Sequence, residues 1–583
     1  MINILWPTGK EVDIVDFSSC INDLELGELS SLMFQGKRAS ETISYLTNLV
    51  TGNQKVLKFR QDCIGEMIDK PEFVQIFEQT LIYIEEIKIC TKGIHENAEG
   101  LTNHSGINGF KETFDKLEKL FGSKSNLIDE NDLDNYYGQL FRASLFLYRL
   151  AQAYTQLISY MKRKLDEYHI ESDAISGMKR WIDCVYEQDD VYSSELLLKE
   201  ISEEWANIEA FSIDVLLDHS MNIVGVELLS VEPKSYSKEG ALSLRNGEEW
   251  DGLAHLMEFP QGGSVTRFQE CLITALGTSL RTKLVKLRDR VLRIPCREAK
   301  ALIALGDQLP FYISAARFAM RLKACHAAVC CPMSAELCYQ KAIGAYPVSV
   351  LLIQGKQTVS NDYNVYGDGS IHFITGANSS GKTTALITIG QLQWLYQLGW
   401  WLPCESAAMC PVDGFYTLFA SGESEDVSDS RMGLEAQKLE LILSKITENS
   451  LVLMNEPMTS TSAGEGIQIC LRILTDFAKR GASCVIVTHY NEMYQMLMNQ
   501  FREKRISKSV LSYVMEIAQT NSGIKYLYRL SPKDPGRSSY SSEIISNAGL
   551  KLEDMLYTLQ ASGLNVCPDA AVWAELHDNK ENC

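Results

Sequence analysis

Positive charge is in short supply along this chain: 55 lysines and arginines stand against 75 aspartates and glutamates, for a formal net charge of −20. Indiscriminate attraction to a polyanion is therefore excluded, and any nucleic-acid contact has to come from local basic surface. Paired cysteines are also missing. The 16 cysteines are scattered without a C-x-x-C, and the cluster Cys325, Cys330, Cys331 and Cys338 has no spacing suited to a tetrahedral zinc site. Buried thiols in a reducing compartment are the expectation. Residues 1–13 lack the basic-then-apolar order of a secretory leader. Internal repeats and low-complexity tracts are absent as well. One stretch, Ala385 to Pro403, carries no charge, but Gln391, Gln393 and Gln397 interrupt it. It reads as a buried helix and not as a membrane span.

At 583 residues there is room for two to four domains. From about 30 to 345 the pattern is almost wholly helical. Leu133, Tyr136, Leu140, Ala143, Leu147, Leu150, Tyr154, Leu157 and Met161 alternate spacings of three and four, as on a long helix packed lengthwise. A second seam runs through Leu276, Leu280, Leu284, Leu287, Val291 and Ile294. The pair suggests an antiparallel stalk with an insertion at its far end. Within that insertion, at about 165–270, Phe211–Leu217 and Ile223–Val231 read as a β-hairpin. Positive charge gathers on the stalk, at Lys162, Arg163 and Lys164 and along Arg281, Lys283, Lys286, Arg288, Arg290, Arg293, Arg297 and Lys300. Such a row is either a solvated helix face or a set of phosphate contacts.

Beyond about 346 the pattern becomes α/β, with short apolar runs at Leu451–Met454 and Cys484–Val487. Here stands Gly376-Ala377-Asn378-Ser379-Ser380-Gly381-Lys382-Thr383-Thr384, a full G-x-x-x-x-G-K-[ST] phosphate-binding loop. The strand-like Ile371–Thr375 precedes it and a helical stretch follows, which is the context that gives the motif its mechanism. Successive backbone N–H groups and the helix N-terminus would hold phosphate oxygens. Lys382 would neutralise the β- and γ-phosphates, and Thr383 would ligate Mg2+. The run 451–454 ends in Asn455-Glu456. P-loop ATPases usually carry two acids there, the first holding Mg2+ and the second polarising water. Asn455 offers an oxygen without charge, so hydrolysis is expected but could be slow, with Glu456 catalytic. His489, at the carboxyl end of the 484–487 run, faces the ligand crevice of an open sheet and suits the γ-phosphate or the attacking water.

In this order the motifs resemble those of the MutS ATPases, the DNA mismatch-repair proteins and their relatives. Ile374–Asn378 is similar to the family's loop entry. Val359-Ser360-Asn361-Asp362 stands where the family contacts the nucleotide base, although Thr358 occupies the usual position of a stacking aromatic. Thr461-Ser462 and Gly466 resemble its subunit-contacting loop, and Thr488-His489-Tyr490 its histidine loop. Gly536, Ser539-Tyr540, Ile544 and Gly549-Leu550 resemble its closing helix-turn-helix. Ser430, five residues before Glu435, matches the serine that reaches the γ-phosphate across a dimer, within an altered local pattern. Upstream, Arg60-Gln61 looks like the start of the core and lever domain.

The resemblance implies an α plus α/β chain: a helical core and lever domain over 1–345 with a β-containing clamp insertion, a P-loop parallel-sheet ATPase domain over 346–565, and a polar tail from 566. The family's mismatch-reading and connector domains have no counterpart. Phe110-Lys111-Glu112 and Phe501-Arg502-Glu503 have the reader's F-x-E spacing but lie in the wrong regions, and such triplets arise by chance. The implied cofactors are ATP and Mg2+. The implied partners are structured double-stranded DNA, contacted through Lys162, Arg163, Lys164, Arg281, Lys286, Arg288 and Arg293, and a second MutS-type subunit, identical or related. The implied setting is the bacterial cytoplasm, at the nucleoid. An ATP-gated scaffold that binds proteins and not DNA is the competing expectation, favoured by the acidic charge. A transporter ATPase fits less well, because no L-S-G-G-Q-like segment precedes Leu451. SMC-type repair ATPases separate their two nucleotide motifs by a long coiled coil, and only 382–455 intervenes here.

Overall fold

The computed structural model describes residues 3–7, 13–34, 39–97, 130–205, 210–217, 223–232, 280–335, 339–354, 358–419, 431–520 and 523–535. The chain forms two compact units. One comprises Met1–Gly9 and Asp69–Ile313, the other Lys10–Ile68 and Ser314–Cys583.

The first unit is built on the helix Glu130–Asp166, which packs against Glu72–Asn97 and Arg281–Val291. Along its inner face Leu147, Leu150, Tyr154, Leu157 and Met161 are buried. This is the side chain repeat that a lengthwise helix seam requires. Leu280, Leu284, Leu287, Val291 and Ile294 are buried too, although the helix bearing most of them has only eleven described residues. Tyr154 donates a 2.6 Å hydrogen bond to the buried carboxylate of Asp189, which gives that acid a partner in the interior. The expected hairpin is present: β1 (Ala210–Leu217) runs antiparallel to β2 (Ile223–Glu232), and its loop lies outside the described residues.

The second unit holds two sheets. The smaller has the order β3 (Met333–Ser334), β7 (Ser406–Met409), β4 (Tyr339–Ala345), β5 (Asn361–Tyr366). Residues 333–345 thus contribute strands where the sequence pattern read as helix. The larger sheet is built from β6 (Ile371–Thr375), β8 (Gly414–Phe419), β9 (Ser450–Asn455), β10 (Ser483–Val487), β11 (Val510–Thr520) and β12 (Gly523–Pro532), in the order β12-β11-β6-β10-β9-β8. Its pairs are parallel except that of β11 with β12. Every residue of β6 and β10 is buried, as expected of strands covered on both faces.

The uncharged stretch forms the helix Lys382–Leu398, closed by Gly399 in the left-handed conformation at φ +80°. Its glutamines are buried and bonded. Gln391 donates to the carbonyl of Leu24, Gln393 to that of Cys410, and Gln397 to that of Val412. No helix among the described residues is long and apolar enough to cross a membrane.

Residues 10–68, expected in the first domain, belong to this second unit. Phe17 stacks on Phe415 at 4.6 Å, Thr417 donates to Asp23 at 2.6 Å, and the amide of Thr51 donates to the carbonyl of Gln397. Arg60, expected to open a lever domain, is fully buried and donates to the carbonyls of Leu49 and Leu398. The thiols follow expectation in part: Cys20, Cys63, Cys90, Cys296, Cys404, Cys470 and Cys484 are free and buried, and others are not. Cys184 and Cys325 are exposed, and the half-buried Cys330 lies 3.4 Å from the buried Cys404. No group of three or more potential metal ligands occurs among the described residues.

Candidate functional site

Three parallel strands deliver their carboxyl ends to one place. Val487 of β10 pairs with Ile374 of β6 on one side and with Asn455 of β9 on the other. The loops that follow, 376–384, 456–458 and 488–490, therefore emerge side by side on the edge where open parallel sheets bind ligands.

The phosphate-binding loop needs its glycines. Gly376 has φ +138°, and a Cβ there would come within 2.9 Å of Met515 Cβ. Gly381 has φ +98° and lies against Met515 and Tyr528. A larger residue would be strained in backbone and in packing at both positions. Lys382 is 5 % exposed. Its ammonium donates to the carbonyls of Gly376 and Ala377, both at 3.0 Å, and to Asn378 Oδ1 at 3.4 Å. Burial pushes its pKa below the ordinary lysine range, and the neighbouring Glu456 opposes that shift. Thr383 Oγ1 donates to Asn455 Oδ1 at 3.4 Å, so the two residues expected to serve Mg2+ are in contact. They offer two neutral oxygens to a hard cation, a chemically suitable set without anionic charge.

Glu456 adopts φ +47° and Met458 φ +59°, two left-handed non-glycine residues within three positions. Backbone held in that region costs about 1–3 kcal/mol per residue and persists only where its surroundings over-determine it. Here the amide of Glu456 donates to the carbonyl of Val487 at 2.9 Å, and the amide of Met458 donates to Oε2 of the buried Glu435 at 3.0 Å.

Beside these groups lies a cavity of about 800 Å³. Asn378, Ser379, Gly381, Lys382, Thr383, Thr384 and Glu456 form its polar part, while Pro347, Val350, Val359, Tyr363, Met515 and Tyr528 form its apolar part. A lining with both polar and apolar residues suits a nucleotide's phosphates and base. Tyr528, 48 % exposed and beside Gly381, is an aromatic side chain of the cavity lining, to which position 358 contributes a threonine. It comes from β12, roughly 150 residues downstream, and only the pairing of β12 at the sheet edge brings it here. No local motif marks it.

Asn361 also lines the cavity, but its amide is engaged elsewhere. Its Nδ2 donates to the carbonyl of Tyr528 at 3.0 Å and its Oδ1 accepts from the amide of Leu530 at 2.7 Å. It joins β5 to β12. His489 is exposed, its ring centroid 3.9 Å from that of Tyr490 with the planes tilted by 45°, and outside the cavity lining. Ala377 and Ser380 are buried within the loop. Ser430, the residues of the closing helix-turn-helix, and Phe110 to Glu112 lie outside the described residues.

The basic residues of the first unit divide into two groups. Arg163, Lys286 and Arg293 are exposed. Lys162 pairs with Asp183 at 2.8 Å and Lys164 with Glu167 at 2.9 Å. Arg288 is a correction to the expected DNA set, since it is 6 % exposed and its guanidinium lies 2.9 Å from Asp289. Arg290 is held by Glu200 and Glu204. The side chain of Arg281 is outside the described residues.

Residues 372–554 match the family model of MutS domain V. The chain is 31 % identical over 199 residues to a DNA mismatch repair protein MutS of Aquifex pyrophilus, a match covering 34 % of this chain and 22 % of the relative. It is 29 % identical over 208 residues to the MutS of Prochlorococcus marinus strain NATL2A, covering 36 % and 22 %. A MutS protein homolog 4 of Candida albicans is 31 % identical over 173 residues, covering 30 % and 20 %. The matched segment thus spans about a fifth of the length of these relatives.

Proposed function

We propose, for a chain whose residues 372–554 are a MutS-family domain V, an ATP-dependent DNA-binding function in which ATP hydrolysis drives a dimeric clamp on mismatched, branched or otherwise distorted DNA. The observation that carries the ATPase reading is the convergence of Lys382, Thr383 and Glu456 on one cavity that also has apolar lining, with Asn455 in contact with Thr383. Lys382 and the amides of 376–384 hold the phosphates. Val359, Tyr363, Met515 and Tyr528 enclose the base. Thr383 and Asn455 would hold Mg2+, which when bound would supply positive charge against that developing on the phosphoryl oxygens. Glu456 takes a proton from the attacking water, and His489 is the residue assigned to orienting that water. The neutral Asn455 would leave the metal less tightly held than an aspartate would, which would slow turnover. Ser430 of a second subunit completes the site, and the levers and clamps within 69–313 carry its closure to DNA.

The DNA contact rests on Lys162, Arg163, Lys164, Arg281, Lys286 and Arg293. The competing reading is an ATP-switched scaffold for proteins. The carboxylates paired with Lys162, Lys164 and Arg290 favour it, because those cations would have to exchange partners to meet phosphate. The test is binding of the full chain to homoduplex, mismatched and four-way-junction DNA across a salt series, with and without ATP and Mg2+. ATP-modulated preference for one structure, with affinity falling steeply as salt rises, is the expected result. No binding to any of the three at low salt refutes the DNA reading and leaves the scaffold.

A further inference from the structure

We infer that Glu435 is a positioning residue for hydrolysis: its buried carboxylate fixes the loop after β9 and thereby the direction of Glu456. The inference rests on the ATPase reading above and deepens it. Glu435 lies in the helix Arg431–Lys445, is 2 % exposed, and accepts the amide proton of Met458 at 3.0 Å. A carboxylate is costly to bury, and a neutral side chain would join helix to sheet at less expense. What the carboxylate meets here is the backbone of a loop with two left-handed residues, Glu456 at φ +47° and Met458 at φ +59°.

The loop is held at both ends and on one flank. The amide of Glu456 is tied to Val487 of β10. The carbonyl of Met458 sits where Gly466 leaves room, 2.9 Å from the position a Cβ would occupy, and Cys470 Sγ donates weakly to the carbonyl of Pro457 at 3.9 Å. Of these ties, the charge-assisted bond from Met458 to Glu435 is the one supplied by a side chain of the 431–445 helix. Without it the peptide after Glu456 can relax out of the left-handed region, and the carboxylate rotates away from the phosphate loop. Nucleotide binding draws on Lys382 and the 376–384 amides, whereas the bond to Glu435 comes from the loop after β9. The signature is therefore a loss of rate without a loss of affinity.

The experiment compares full-length wild type, Glu435→Ala and Glu435→Gln in three readouts: dissociation of fluorescent ADP with Mg2+, single-turnover ATP hydrolysis, and hydrogen exchange at the Met458 amide. In Glu435→Ala the hydrolysis rate should fall about tenfold or more while nucleotide affinity stays within about threefold. Protection of the Met458 amide should be lost. Glu435→Gln, which retains an acceptor oxygen, should recover most of the rate. A Glu435→Ala rate within about twofold of wild type, a parallel loss of affinity and rate, or a glutamine variant as slow as the alanine variant overturns the inference. If Glu435→Ala does not fold, Glu435→Asp, one methylene too short to reach Met458, takes its place. A wild type that binds ATP without hydrolysing it refutes the ATPase reading. The exchange measurement then still decides whether Glu435 holds the loop.

Discussion

Asn361 separates two accounts of the nucleotide cavity, because its position suggests ligand contact while its hydrogen bonds indicate a structural staple. Asn361→Ala removes both bonds between β5 and β12. The amide of Leu530, on a residue 8 % exposed, loses its acceptor. A buried donor left unsatisfied costs about 1–3 kcal/mol. The carbonyl of Tyr528 loses a donor but lies on a half-exposed residue that water reaches, so its bond is worth about 1 kcal/mol. The expected destabilisation is therefore about 2–4 kcal/mol. It is read by urea unfolding of the full chain, following the transition that added nucleotide shifts, since ligand linkage identifies the unit that binds it. Below that transition, nucleotide affinity should change by less than about threefold, because the bonds the amide makes hold β12 and not a ligand. A stability change below about 0.5 kcal/mol with a large loss of affinity would refute this reasoning and restore Asn361 as a direct contact.

Lys382→Ala should abolish nucleotide binding in equilibrium titration, and retention within tenfold would remove this lysine from the phosphate site. Glu456→Gln should bind ATP normally and accumulate an ATP-bound dimer on a sizing column; wild-type-like turnover would exclude a catalytic role. His372, buried beside Ser370 and accepting from the amide of Tyr366, is pushed down to about 4. The unfolded chain then takes up that proton first, so stability is fully present above about pH 6.5 and declines toward pH 4 by up to about 1.4 kcal/mol per pH unit. His372→Gln should flatten the profile in that window, and an unchanged slope would rule the histidine out. Gly390→Ala would place a Cβ 2.5 Å from Leu24 and 3.1 Å from Leu453. Overpacking costs about 1–3 kcal/mol, against a helix gain of about 1 kcal/mol, so no gain in melting temperature is expected. A clear rise would show that Leu24 gives way.

Local features of the sequence carried much of the architecture. The phosphate-binding loop is contiguous, and its flanking strand and helix announce themselves by composition within a few residues. The 147–161 seam was legible for the same reason, since helical spacing is a property of one segment. What escaped was non-local. Residues 333–345 pair as strands because β5 and β7 supply partners, which composition does not reveal. Tyr528 and Met515 reach the cavity through sheet order. Arg288 belongs to a basic row in the sequence and to the interior in the fold, because helix phase and not charge decides which residues face inward. Asn361 stands where a base contact would be expected, and only the position of β12 shows what its amide does.

The second unit draws on two stretches of chain that leave the ribosome far apart in time. Residues 10–68 emerge early, yet Leu24, Leu57 and Ile64 are buried in a unit whose other part begins at Ser314. At typical synthesis rates the intervening residues take on the order of ten to fifty seconds to appear. Through that interval the early helices have no native surface to cover them and are open to aggregation or chaperone capture. The phosphate-binding helix, whose glutamines bond to the carbonyls of Leu24 and Thr51, cannot settle until both stretches meet. Nucleotide competence is thus one of the last properties a nascent copy acquires, and a stalled or truncated product lacking the later stretch exposes the apolar face of the earlier one.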